Sequence, residues 1–333
     1  MLKTATLGFP RIGENRELKK AVEAHWKGAK SESDLQKDAS EIRNKNWNTQ
    51  KSNEISYVPS NDFSFYDQVL DTLALFGAVP ERYNFKGGNV DLELYFSMAR
   101  GAQKEGVDVT AMEMTKWFDT NYHYIVGEFK KDQKFAISST KIFDQYKEAK
   151  ENGLETRPVI IGPVTFLLSG KSVDGSNKLD LLDNLLVAYK ELFAKLNEAG
   201  VKDVQIDEPC LVTDLDEAAK KAYEKAFKVI NEAKGDIKTH LATYFDDLAD
   251  NTDLAFSLGT DSVHVDLVRA PDQFDKALNA VKDGQALSLG LVDGRNIWIN
   301  DLEKSIATAK KAVAKLGADR VIVAPSCQLL HSP

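Results

Sequence analysis

"LDLLDNLLVAYKELFAKLNEAGVKDVQIDEP", residues 179–209, holds one complete structural repeat. Its first part sets apolar residues at three- and four-residue intervals up to Gly200, the pattern of an amphipathic helix with a stop signal. Its second part, "VKDVQIDEP" (201–209), is a short β-branched run closing in two acids and a proline. A helix followed directly by a buried-looking strand is the unit of an α/β protein.

The unit recurs. Comparable runs are "TATLGF" (4–9), "ISYVPS" (55–60), "PVIIGPVTF" (158–166) and "KTHLATYF" (238–245). "DSVHVDLV" (261–268), "ALSLGLVDG" (286–294) and "DRVIVAPSC" (319–327) complete the set. Eight strands with helices between them predict a (β/α)8 TIM barrel. Runs after residue 158 are spaced roughly 25 to 45 residues apart, enough for a strand and its return helix. Between the second and third runs the gap is about 100 residues, so something extra is inserted there. "VTAMEMTKWF" (109–118) followed by "KKDQKFAISSTKIF" (130–143) predicts an inserted β-hairpin or strand pair. The chain has no proline- or serine-rich linker, which favours a single domain over residues 1–333.

Composition narrows the partners. Hydrophobic residues at 43% and charged residues at 28% are those of an ordinary globular chain. The start, "MLKTATLGFPRIGEN", lacks a signal-peptide apolar run, and nothing approaches the roughly 18 apolar residues of a membrane span. Two cysteines, Cys210 and Cys327, make no disulfide framework and point to a reducing cytoplasm. A net charge of -8 argues against nucleic acid or a membrane surface as partner. An anionic ligand would have to be met by a local basic cluster.

Reactive residues of such barrels sit at the C-terminal strand ends. Here those ends carry Asp62, Asp207, Glu208, His240, His264, Asp266, Asp293 and Cys327. These are the residue types of a zinc site, and equally those of a self-satisfied polar rim; the absence of a short ligand spacing such as Cys-x-x-Cys leaves both open. The first loop, "GFPRIGENRELKKA" (8–21), is more specific. It offers Asn15 as an N-cap and Arg16, Lys19 and Lys20 on one helix face, a combination that favours an anion. In "EMTKWFDTNYHY" (113–124), Lys116 and Asn121 sit among aromatic residues. Lys116 either pairs with an anion in a slot shaped by rings or snorkels from the packed underside of a hairpin. Phosphate-loop, Gly-x-Ser-x-Gly and kinase signatures are absent from the sequence. Cys210, with no activating base near it in sequence, reads as structural.

Several stretches resemble the N-terminal half of the cobalamin-independent methionine synthase family. They are "LGFPRIGENRELKKAVEAHWKG", "SNDFSFYDQVL", "EMTKWFDTNYHYIVGEF", "GPVTFL", "QIDEP", "HVDLV", "GLVDGRNIW" and "PSCQLLHSP", in order along the chain. The resemblance implies methyl transfer from 5-methyltetrahydropteroyltriglutamate to homocysteine by two face-to-face barrels. It implies that zinc and homocysteine belong to the C-terminal barrel, and that the N-terminal barrel holds the folate's glutamate tail. Carried onto this sequence, the tail-binding residues are Arg16, Glu17, Leu18, Lys19 and Lys116, with Asn121 a further candidate. The zinc ligands are only partly matched: His240 and Cys327 have counterparts, but Ala242 stands where the family's middle cysteine would be. This barrel is therefore expected to bind no metal and to be inactive alone, the catalytic barrel lying beyond Pro333. The rival expectations are a self-sufficient methyltransferase or decarboxylase using Asp207, His240 and His264, and a barrel that only buttresses a catalytic half.

Overall fold

Each of the eight runs forms a strand, and together they form one parallel sheet. The computed structural model describes residues 2–104 and 107–332. The barrel strands are β1 (Lys3–Thr4), β2 (Val58–Ser60), β3 (Thr156–Ile161) and β4 (Asp203–Asp207). β5 (Lys238–Ala242), β6 (Ser262–Asp266), β7 (Ala286–Val292) and β8 (Val321–Pro325) follow. Hydrogen bonding runs continuously from β1 through β8, β7, β6, β5, β4 and β3 to β2. A parallel bridge from Ala5 to Tyr57, with Tyr57 N–H donating to the Thr4 carbonyl at 3.0 Å, joins the two ends and closes the barrel.

Return helices form where the sequence stacks apolar residues on one side. In α7 (Leu182–Glu198) the residues Leu185, Leu186, Tyr189, Leu192, Phe193 and Leu196 are all buried, following the three- and four-residue spacing. Leu185, Leu192, Phe193 and Leu196 are completely covered, which contributes on the order of 1.5–3 kcal/mol for each side chain removed from water. Several helices start on a side-chain cap. Ser31 caps α2 (Glu32–Ser52), Asp67 caps α3 (Gln68–Leu75) and Asp91 caps α4 (Leu92–Arg100).

The first helix, α1 (Glu17–Trp26), departs from that rule and from the expectation for Asn15. Arg16, not Asn15, is the N-cap, in a left-handed conformation (φ 59°) and without a side-chain cap. The Glu17 carboxylate folds back instead, accepting from the Asn15 backbone N–H at 2.9 Å and from Asn15 Nδ2 at 3.3 Å. Its own backbone N–H, and then these bonds from Asn15, hold its pKa below the usual carboxylate range. Gly13 makes the turn possible: it has φ 81°, and a Cβ there would lie 2.1 Å from Glu17 Oε2.

The long excursion between β2 and β3 contains the predicted hairpin, but its second strand lies elsewhere. Met114–Lys116 pairs antiparallel with His123–Ile125, inside the aromatic stretch, and the 130–143 segment leads into α5 (Lys141–Glu151) without a strand of its own. A second antiparallel pair joins Ala102–Lys104 to Val107–Val109, and Glu128–Phe129 pairs in parallel with Lys171–Ser172.

The hairpin lies across the barrel mouth. The Ile125 N–H donates to Asp67, beyond β2, and Tyr124 Oη donates to the Ser169 carbonyl, beyond β3. The Phe118 ring is 5.5 Å from that of Phe245, beyond β5, and the Tyr122 ring is 5.5 Å from that of His331, beyond β8. Arg269 and Arg295, from the loops after β6 and β7, both pair with Asp119 at the hairpin tip. Trp117 is fully buried as a result.

Candidate functional site

Under the hairpin, the polar strand ends are occupied with one another. Asp207 accepts from Gln205 Nε2 at 2.8 Å, Tyr244 Oη at 2.8 Å and Gln328 Nε2 at 2.5 Å. Glu208 accepts from the backbone N–H groups of Val164 (3.1 Å) and Thr165 (2.8 Å) and from Tyr223 Oη (3.0 Å). Burial pushes both carboxyls up to about 7, against the pull of these donors. Asp62 accepts from the Phe9 N–H, and Asp266 from those of Phe245, Val268 and Arg269. Asp293 accepts from the Arg295 N–H and from Asn296 Nδ2.

The two histidines do not face an open mouth as expected. His240 Nε2 lies 2.7 Å from Asp203 at the start of β4, and its Nδ1 bonds Ser262 Oγ. His264 donates from Nε2 to the Ser326 carbonyl at 3.1 Å, leaving Nδ1 to accept from Ser288 Oγ at 2.9 Å. Burial holds both rings neutral, each pushed down to about 4. Position explains this: each histidine is the third residue of a five-residue strand, below the strand end, and from there its ring reaches a serine on the next strand. Burial pushes the Cys210 and Cys327 thiols up to about 12, so neither is a ready thiolate. With His240 doubly bonded and Cys327 protonated, this pair is a poor fit for zinc. Among the described residues, no three or more His, Cys, Asp or Glu are grouped to hold a metal ion.

The open ground lies beside the hairpin. A cleft of about 410 Å³ runs between α1 and the hairpin. Leu18 and Lys19 line it from the helix, and Asn121, Tyr122 and His123 line it from the hairpin. Leu18 is buried and fixes the helix; Lys19 and Asn121 are exposed. Lys116 is directly opposite His123 in the antiparallel register. Opposed residues project from the same face of such a pair, so Lys116 shares the side of the hairpin that carries His123.

Other candidates fall outside this cleft. Arg16 is exposed on the turn before α1, and neither it nor Lys116 is among the cleft's lining residues. Glu17 and Lys20 line a separate cleft between α1 and α2, so Lys19 and Lys20 do not share one functional face as the helix spacing suggested. Arg11 and His123 were not singled out as binding residues by sequence reasoning, yet both line the α1–hairpin cleft. Arg11 is anchored by donating to the Ser64 and Tyr66 carbonyls and stands 5.8 Å from the Tyr122 ring. The signal for Arg11 was its place in the first βα loop; for His123 it was only the hairpin register.

Fold and site together define a (β/α)8 barrel whose mouth is closed by its own hairpin, with a cleft at the edge where Arg11 and Lys19 stand with Glu23, which lies 3.8 Å from Lys19 Nζ. A family model described as cobalamin-independent synthase, N-terminal domain, matches residues 3–317. The chain belongs to that family. It is 51% identical, over its whole length, to the 5-methyltetrahydropteroyltriglutamate–homocysteine methyltransferase of Salinibacter ruber. It is 48% identical to the enzyme of the same name from Saccharomyces cerevisiae. In both cases the chain spans 44% of the relative's length. A solved B12-independent methionine synthase from a Shewanella species shares the fold, with a TM-score of 0.68 at 15% identity over 99% of this chain and 92% of that one. No helix among the described residues is long and apolar enough to cross a membrane.

Proposed function

We propose that this barrel grips the acidic tail of 5-methyltetrahydropteroyltriglutamate, while a second, C-terminal barrel transfers the methyl group to homocysteine to give methionine. The observation that carries the reading is the meeting of α1 and the hairpin at one cleft, with Lys19 on one wall and Asn121 and His123 on the other. Lys116, opposite His123 on the hairpin, and Arg16, exposed on the turn before α1, would add further cations from outside the cleft's own lining. Leu18 anchors the helix, and Glu17 sets the turn that presents Arg16. Each glutamate unit of the tail brings a carboxylate, and a charged hydrogen bond to one contributes on the order of 1.5–3 kcal/mol when partly shielded. The overall charge of -8 would repel such a ligand, so a local cluster is needed.

The names of the relatives supply the reaction, and the satisfied carboxylates at the mouth support assigning its chemistry to another barrel. In that barrel zinc would lower the pKa of the homocysteine thiol. Beyond β7, Ile297 (75% exposed), Trp298 (76%) and Ile299 (100%) offer an apolar surface suited to the C-terminal barrel of the same polypeptide. The free cysteines suit a cytoplasmic enzyme.

The test is a Lys19→Ala, Lys116→Ala double variant titrated with triglutamate folate by calorimetry. Affinity should fall by about tenfold or more. Unchanged binding would refute the tail-gripping role and leave the barrel as a buttress.

A further inference from the structure

Arg11 enters the α1–hairpin cleft from the first βα loop, and its charge there is fixed without being neutralised. The guanidinium donates from Nη1 to the Ser64 carbonyl at 2.7 Å and from Nη2 to the Tyr66 carbonyl at 2.5 Å. It stands 5.8 Å from the ring of Tyr122, which lines the same cleft. The acids nearby are engaged elsewhere. Asp71 accepts from Ser64 Oγ at 2.6 Å and Tyr95 Oη at 2.7 Å and lies 2.9 Å from Lys141 Nζ. Asp67 accepts from the backbone N–H groups of Val69, Leu70 and Ile125. Glu23, the acid of the cleft itself, lies 3.8 Å from Lys19. Among the described residues no carboxylate pairs with Arg11.

A guanidinium has more N–H groups than these carbonyls use. Arg11 Nε has no partner among the described residues, yet it keeps accessible surface, whereas the unpartnered Nε of Arg157 is sealed from solvent. The cleft beside it is apolar. Ile12, from the same loop, is 43% exposed and Met114, from the hairpin, 53% exposed, and Trp26, Phe65 and Tyr66 line it as well. An anchored cation with a free donor, next to uncovered apolar side chains, fits an anion carried on methylenes.

Resting on the tail-gripping role above, we propose that Arg11 is a specificity-determining residue of this cleft. It receives the α-carboxylate of one glutamate unit through Nε, while the methylenes of that unit cover Ile12 and Met114. A fork of N–H donors matches a carboxylate in a way that a lysine ammonium does not. Because Ser64 and Tyr66 already hold the guanidinium, little freedom is lost when the ligand arrives. Lys19 and Lys116, both exposed, attract the tail; Arg11 sets its register.

The test titrates the parent chain and Arg11→Gln by calorimetry. The ligands are triglutamate folate and analogues in which one α-carboxylate at a time is a carboxamide. The parent should bind one analogue about tenfold more weakly than the others. Arg11→Gln should bind that analogue and the full tail alike. A merely structural Arg11 would weaken every ligand together and leave the discrimination standing, which would overturn the proposal. In the parent chain the Arg11 Nε–H resonance should shift with the triglutamate and stay in place with the discriminated analogue, a readout that needs no variant. A shift with both ligands, or with neither, would overturn it as well. Full discrimination by Arg11→Gln, with the Lys19→Ala, Lys116→Ala variant still weakened, would remove the role of Arg11 alone. A parent chain indifferent to tail length would overturn the tail-gripping role and this proposal with it.

Discussion

Arg295 holds Asp119 twice across a separation of 176 residues, with Nη1 donating to Oδ1 at 2.9 Å and Nη2 donating to the backbone carbonyl at 3.1 Å. Arg269 completes the clamp from the neighbouring loop, 2.7 Å from Oδ2. The tip of the hairpin is thus tied to the loops after β6 and β7, and through it the cleft face carrying Asn121 and His123 is held in place. Asp119→Ala should raise hydrogen exchange of the 117–125 amides. Because the pair is half exposed, global stability should fall by only about 1 kcal/mol or less. Unchanged exchange would show that the aromatic contacts alone hold the hairpin.

Glu208 should matter far more to stability. Its carboxylate satisfies two backbone N–H groups at the start of α6 (Pro163–Leu168) and the hydroxyl of Tyr223, all of them buried. Glu208→Ala leaves those donors stranded, at a cost of about 3 kcal/mol or more, read as a lower urea midpoint. A midpoint like that of the parent chain would show that these donors find other partners.

His264 makes stability depend on acid. Its folded pKa is pushed down to about 4, whereas an unfolded histidine titrates near 6.5. The neutral buried ring therefore contributes stability that is fully present above pH 6.5 and lost as pH falls towards 4, on the order of 3 kcal/mol. Asp207 and Glu208, pushed up to about 7, act in the opposite direction, their contribution being lost as pH rises through 7. His264→Gln should thus cost most at pH 7 and progressively less on acidification, as followed by urea unfolding at several pH values. A constant cost from pH 7 to pH 4 would contradict a neutral buried imidazole.

Gly13 carries the turn that presents Arg16 and positions Glu17. Gly13→Ala places a Cβ against the Glu17 carboxylate in a left-handed conformation. The expected cost is about 1–2 kcal/mol in stability, together with weaker tail binding as the Arg16 turn shifts. A variant as stable and as tight-binding as the parent would remove this turn from the account.

Much of the fold was legible because its pattern is local. The strand runs are β-branched and short, helices such as α7 repeat every three to four residues, and the eight elements fall where those patterns lie. Long-range geometry was not legible. Asn15 is a good N-cap by type, but nothing in its neighbourhood discloses that Glu17 turns back and moves the cap to a left-handed Arg16. His240 and His264 belong to runs that end at the mouth, yet they lie mid-strand and pair with Asp203 and with Ser288, residues fixed only once strands are in register. The hairpin's second strand, His123–Ile125, was misplaced because the aromatic stretch around it read as a slot rather than as a pairing strand. Lys19 and Asn121 were identifiable as candidates from charge and resemblance; their shared cleft depends on the hairpin crossing the mouth.

The most direct test is calorimetric titration of the full chain with mono- and triglutamate forms of 5-methyltetrahydrofolate, at low and at high salt. The account predicts that the triglutamate binds at least about tenfold tighter at low salt and that the advantage shrinks as salt rises. Equal affinity for the two forms at both salt concentrations would contradict it.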